Sequence, residues 1–126
     1  MLPLYQMLPL GAALLFLVVT VREGHSSSRG WIIPTLVSAA FLGWSIHTLA
    51  EDGVMGFWVN HTGNATGNQV WFDLLIAVAI GWSLLLPRAR AAGMRTWPWL
   101  ALICATGCIG LAAMLARCRF LELRSA

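Results

Sequence analysis

This chain has no lysine; all eight of its basic residues are arginine. Charge of either sign is scarce, at 10% of residues against 59% that are hydrophobic. A soluble domain usually carries about a quarter charged residues. A water-facing surface cannot be assembled from this inventory, and a mean hydropathy of +0.75 places the chain in a lipid bilayer. The absence of lysine reads as a GC-rich coding bias and points to a bacterial source. No CxxC or CxxCH pair, phosphate-binding glycine loop, nucleophile elbow or dinucleotide fingerprint occurs, which removes the thiol-redox, nucleotide and hydrolase motifs from consideration. The basic residues do not interleave with aromatics in a groove, so nucleic acid is not an expected partner.

What is present is apolar sequence in long runs. About 20 such residues cross a hydrocarbon core of about 30 Å. Four runs qualify, at residues 2–21, 32–50, 70–87 and 97–116. The N-terminal run lacks a basic segment before it and a clear small-residue cleavage site after it, so it is expected to be a retained span. The expected fold is an all-α polytopic transmembrane bundle of about four spans, forming a single domain over residues 1–126.

Three short polar segments separate the runs. Residues 22–30 hold Arg22, Glu23, His25, three serines and Arg29; residues 51–69 hold Glu51, Asp52, glycines and three asparagines; residues 88–96 hold Arg88, Arg90 and Arg95. Five arginines in the first and third loops, and none in the second, put residues 51–69 on the extracytoplasmic side by the positive-inside rule. Arg117, Arg119 and Arg124 disagree, because a fourth crossing carries them outside as well. Trp31, Trp58, Trp71, Trp97 and Trp99 fall at predicted span ends, as an interfacial aromatic belt does.

Membrane helices pack through small residues. Ala39, Gly43, His47 and Glu51 recur at intervals of four, as do Asp73, Ala77 and Gly81, and Cys104, Cys108, Ala112 and Ala116. These stripes are expected to face the bundle interior. That aims His47, Glu51 and Asp73 inward at one depth, with Asp52 and His61 in the loop between them. Asp73 carries the most weight, because it lies inside the run Val70-Trp71-Phe72-Asp73-Leu74-Leu75-Ile76, where hydrocarbon offers a carboxylate no partner.

Several chemistries suit this group. Asp73, His47 and Glu51 could transfer protons. They could also supply an N,O,O metal set, although the spacing is common by chance and no dedicated metal site is assigned. His47, with Gly43 clearing space one turn before it, could ligate a pigment or other macrocycle. The structural alternative is a hydrogen bond from His47 that locks two helices together. Arg88, Arg90 and Arg95 read as topology signal and lipid headgroup contact, or as a phosphate grip on a lipid substrate. The sequons Asn60-His61-Thr62 and Asn64-Ala65-Thr66 read as turn chemistry.

From Asp73 onward a longer pattern stands out: Phe72-Asp73-Leu74-Leu75-Ile76, Pro87-Arg88-Ala89-Arg90, Gly93-Met94, Trp97, Gly107, Ile109-Gly110-Leu111 and Arg117. It resembles a small bacterial membrane family of about three spans known only as a domain of unknown function. More distantly it is similar to membrane proteins linked to neoxanthin formation in plants. It departs from that pattern at Ala91, where a second arginine is usual, and at Ala113-Met114. The resemblance implies a helical membrane fold and points to Asp73, with a carotenoid, pigment or lipid as the ligand class. Size and small-residue faces suggest a non-catalytic accessory subunit of a larger energy-transducing or pigment-bearing complex in a bacterial inner membrane, with the bilayer and other membrane subunits as partners. The alternative is a small enzyme acting on an isoprenoid or carotenoid, with Asp73 as acid or base.

Overall fold

The computed structural model describes residues 4–22 and 29–126. Expectations that involve Leu2, Glu23, His25 and the three serines lie outside the described residues. The described residues form helices and no strand. They divide into two units, Met1–Gly30 and Trp31–Ala126.

The first unit holds α1, Leu4–Arg22, 19 residues that are apolar on all sides apart from Gln6 and the terminal Arg22. Leu10, Leu14, Leu17 and Val21 are exposed. A helix greasy all round belongs in lipid or inside a larger assembly.

The second unit runs α2 (Ile32–Asp52), α3 (Gly56–Thr62), α4 (Ala65–Ala91), α5 (Thr96–Thr106) and α6 (Cys108–Ser125). Among the described residues two helices, α2 and α4, are long and apolar enough to cross a membrane, rather than four. α4 starts five residues before the expected span, because Asn64 in extended conformation accepts a 2.7 Å hydrogen bond from the Gly67 amide. That cap satisfies an amide of the first turn that the helix itself leaves open. The second asparagine of the sequon pair is therefore a helix cap. The expected outer loop also contains α3, which is held to α4 by Asn68 donating to the His61 carbonyl at 2.8 Å.

The predicted span 97–116 is not a single helix. Gly107, at φ 62° and ψ −123°, ends α5 and begins α6. A residue with a Cβ does not adopt that backbone comfortably. The chain reverses there: a Cβ added at Gly110 would lie 2.9 Å from the Ile103 amide nitrogen, a contact that a continuous helix, rising 1.5 Å per residue, places out of reach. The Gly110 amide donates to Thr106 Oγ1 at 3.0 Å across the turn. α5 has eleven residues and is roughly 16 Å long, about half a hydrocarbon core. Cys104 and Cys108 thus sit on different helices, not one above the other on a shared face.

This reversal sets the architecture of the unit. Trp31 meets Phe120 edge-on with ring centroids 5.6 Å apart, and Ser38 Oγ donates to the Ile109 carbonyl at 2.9 Å, so α2 and α6 are antiparallel. Gly81 lies against Leu111, and Arg88 pairs with Glu122, so α4 and α6 are parallel. α6 contacts both, and α2 does not touch α4. The core is a cluster of Leu85, Ala89, Ile103, Met114 and Cys118, flanked by Val78, Trp82, Met94 and Trp99. α4 ends on paired hydrogen bonds, Gly93 N–H to Arg90 C=O and Met94 N–H to Ala89 C=O, a C-cap that delivers Met94 to this core.

The expected stripe is turned inward on α6, where Ala116 is buried and Cys108 and Ala112 are half-buried, and Gly81 of the α4 stripe packs on Leu111; elsewhere the inward faces differ from the expected stripes. On α2, Pro34 is buried and Ser38, Ser45 and Thr48 are half-buried, whereas Ala39, Gly43, His47 and Glu51 are exposed. On α4, Leu85 and Ala89 are buried and Asp73 and Ala77 are exposed. A stripe drawn every fourth residue drifts by about 40° per step in a helix of 3.6 residues per turn. Over three steps it leaves the face it began on.

Candidate functional site

Asp73 lies eight residues into α4, roughly 12 Å along the axis. Its face also carries Ala65, Gln69, Phe72 and Ile76, and together these line a shallow, open depression. All five come from one helix, so no second element walls the depression. Among the described residues no hydrogen bond or ion pair reaches the Asp73 carboxylate.

The other members of the expected constellation are elsewhere. His47 is exposed on α2, its ring 5.2 Å from Trp44 of the same helix. Glu51 is exposed in the last turn of α2. Because α2 and α4 do not touch, neither residue meets Asp73. No group of three His, Cys, Asp or Glu side chains is placed to hold a metal among the described residues. His61 belongs to α3, where its Nδ1 lies 2.8 Å from the Phe57 carbonyl and its ring stacks on Phe57 at 4.3 Å. Phe57 in turn meets Trp71 edge-on at 5.2 Å. This aromatic row joins α3 to α4 and accounts for His61 structurally.

The arginines form a second feature, which the sequence did not reveal as a group. The return of α6 alongside α4 brings Arg117, Arg119 and Arg124 to the end of the unit that already carries Arg88, Arg90 and Arg95. Glu51 and Asp52 close α2 at the opposite end. Arg88 is not free for a lipid phosphate as expected. It forks onto Glu122, Nε to Oε1 at 3.0 Å and Nη2 to Oε2 at 2.7 Å. The guanidinium holds the Glu122 carboxyl below the usual carboxylate range, chiefly through these hydrogen bonds. Cys118 lies fully buried beneath, with Sγ 3.5 Å from Glu122 Oε1. Arg117 and Arg124 both lie near the Phe120 ring, at 5.9 and 5.7 Å from its centroid, within cation–π range. Arg90 and Arg95 are exposed.

Arg88 and Glu122 are 34 residues apart, so spacing alone cannot pair them. Two hints were in the sequence: Glu122 is the only acid in an arginine-rich tail, and Gly107 and Gly110 interrupt the last apolar run. No protein-family model, curated protein or solved structure matches this chain.

Proposed function

We propose that this chain is a small integral membrane protein and a non-catalytic accessory subunit of a larger membrane complex. The observation that carries this reading is the Asp73 face of α4: a carboxylate among Phe72, Ile76 and Gln69, exposed, unpartnered and walled by one helix alone. A carboxylate facing hydrocarbon costs about 3 kcal/mol near the bilayer centre and less toward the interface. A donor from a second polypeptide removes that cost and completes the depression. Ile76, Ile80 and Leu84 on α4, exposed on the same face, supply the apolar surface such a partner would cover.

In this proposal α2 and α4 cross the membrane, and α5–α6 is a re-entrant hairpin that enters and leaves by the same face. Gly81 is level with Leu111, so the Gly107 turn stands near the middle of α4. Irregular backbone at that depth is tolerated where protein surrounds it, and α2 and α4 both flank α6. The hairpin removes the conflict over the tail. Arg88, Arg90, Arg95, Arg117, Arg119 and Arg124 then lie on the cytoplasmic side, and Glu51 and Asp52 lie outside.

Blue-native electrophoresis of the solubilised source membrane tests the subunit reading. The chain is expected in a band much larger than itself; migration only as a monomer or small homo-oligomer overturns it. The open Asp73 depression also favours a second reading, an enzyme acting on an isoprenoid or carotenoid that approaches sideways from the lipid. Asp73 would act there as acid or base without His47 or Glu51. Asp73→Asn is expected to abolish turnover in a protein that still inserts, and full activity in that variant removes the enzyme.

A further inference from the structure

α4 divides lengthwise into a packed face and a bare one. Successive residues turn about 100° around a helix axis. Trp71, Val78, Gly81, Trp82, Leu85 and Ala89 are buried or half-buried, and they fall within an arc of about 100°. Phe57 of α3 meets this face at Trp71, and Leu111 of α6 meets it at Gly81. Gln69, Asp73, Ile76, Ile80, Leu84 and Pro87 are all exposed. They fall within an arc of about 80° on the opposite side. This bare face is apolar except for Gln69 and Asp73, which stand one turn apart.

Depth and charge narrow what can cover it. Fifteen positions separate Asp73 from Arg88, roughly 22 Å along the axis. With Arg88 at the inner boundary of a core about 30 Å thick, the carboxylate lies roughly 8 Å beneath the outer boundary. The arginines of this unit are at the far end. Arg90 and Arg95 follow Arg88, and α6 runs parallel to α4, so Arg117 and Arg124 also lie toward Arg88. A second copy docked face to face would set one Asp73 carboxylate against another, and like charges repel most strongly at low dielectric. The complement is an apolar helix with one cation at the level of Asp73. A lone lysine or arginine at that depth is as costly to its own chain as Asp73 is here, and pairing relieves both.

We propose that this face docks one transmembrane helix of another subunit, and that the helix brings a single lysine or arginine to Asp73, with Gln69 beside it and Ile76, Ile80 and Leu84 along its apolar length. The proposal rests on the accessory-subunit reading given above and adds the partner's chemistry.

The test uses the full chain in phosphatidylcholine vesicles with synthetic transmembrane helices of leucine and alanine. Each peptide carries a dansyl group and no tryptophan, so energy transfer from the chain's own tryptophans reads association. One peptide has a lysine about five residues from its end, to match the depth of Asp73. Others have the lysine at mid-span, a glutamate in place of the matched lysine, or no charge. The native chain is expected to bind the matched lysine peptide on the order of tenfold more tightly than the uncharged one. Asp73→Asn should lose most of that gain. Asp73→Lys should reject the lysine peptide and take the glutamate peptide instead. Equal binding of the matched and uncharged peptides by the native chain overturns the proposal. An undiminished preference in Asp73→Asn also overturns it, because a neutral bond then suffices, and so does equal or tighter binding of the mid-span lysine. Cross-linking of native copies to one another that Asp73→Asn abolishes assigns the face to a second copy and overturns it too. Blue-native gels of the source membrane separate the two readings. A chain found in a large complex that ignores the lysine peptides loses the cation and keeps the subunit role. A chain that runs free yet prefers the matched lysine keeps the docking face and loses the subunit role.

Discussion

At Arg88 and Glu122, one ion pair fastens the last turn of α4 to the last turns of α6. Both side chains are more than a third exposed, at 47% and 38%, so solvent screens the pair and its worth is under about 1 kcal/mol. Its pH dependence has a definite sign. The Glu122 carboxyl is held below its ordinary range by Arg88. The contribution is therefore complete above the ordinary carboxylate range and fades as pH falls through the lowered value. Thermal unfolding in detergent, followed by circular dichroism, should show a small loss of stability in Glu122→Gln at neutral pH and little difference from the native chain in strong acid. Asp73 makes no comparable contact. With no partner among the described residues, its carboxylate contributes nothing visible to the isolated fold. Asp73→Leu should leave the detergent-purified chain equally stable or more stable, yet lower its share of the large complex on blue-native gels. A loss of stability without a loss of assembly would contradict the accessory-subunit reading. Asp73 was conspicuous in the sequence because a carboxylate in an apolar run stands out alone. Glu122 was not, because its meaning depends on an arginine 34 positions away.

The element that changes the interpretation most is the α5–α6 hairpin. Composition makes residues 97–116 a plausible crossing, since apolar content does not record direction. Direction is set by Gly107 with its positive φ and by Gly110, which lets two backbones approach. Gly107→Ala should cost about 1–3 kcal/mol, the usual price of holding a side-chain-bearing residue in such a conformation. Gly110→Val must displace the Ile103 backbone and should cost a similar amount or more. Both are readable as a lowered melting temperature, with Ser38→Ala as a milder comparison that removes one hydrogen bond to Ile109. If either glycine variant matches the native chain in stability, the close turn is not what holds α6 between α2 and α4. The packed face of α2 departs from its four-residue stripe for a related reason. Strict four-residue spacing looks like a face in the sequence, but the packed face of α2 runs through Pro34, Ser38, Ser45 and Thr48, mixing steps of three, four and seven.

On the scale of the whole molecule, the second unit is thinly packed. Its core cluster holds five buried residues, and large apolar side chains such as Phe41, Ile46, Ile80 and Leu84 are exposed. In water such a surface would aggregate; in lipid it is the expected exterior. Vesicle labelling should find Val54→Cys and Ala126→Cys on opposite sides, the outcome required if the arginines gather on one side. The amino-acid sequence alone determined the helical class and its apolar exterior, because long runs of apolar residues with few charges leave α2 and α4 long and apolar enough to cross a membrane. It also singled out Asp73 and both groups of arginines. Only the tertiary structure decided that the last apolar run turns back on itself, that His47 and Glu51 stand apart from Asp73, and that the two arginine groups share one end. Each of these depends on where the chain reverses, and one glycine torsion that composition does not register controls that reversal.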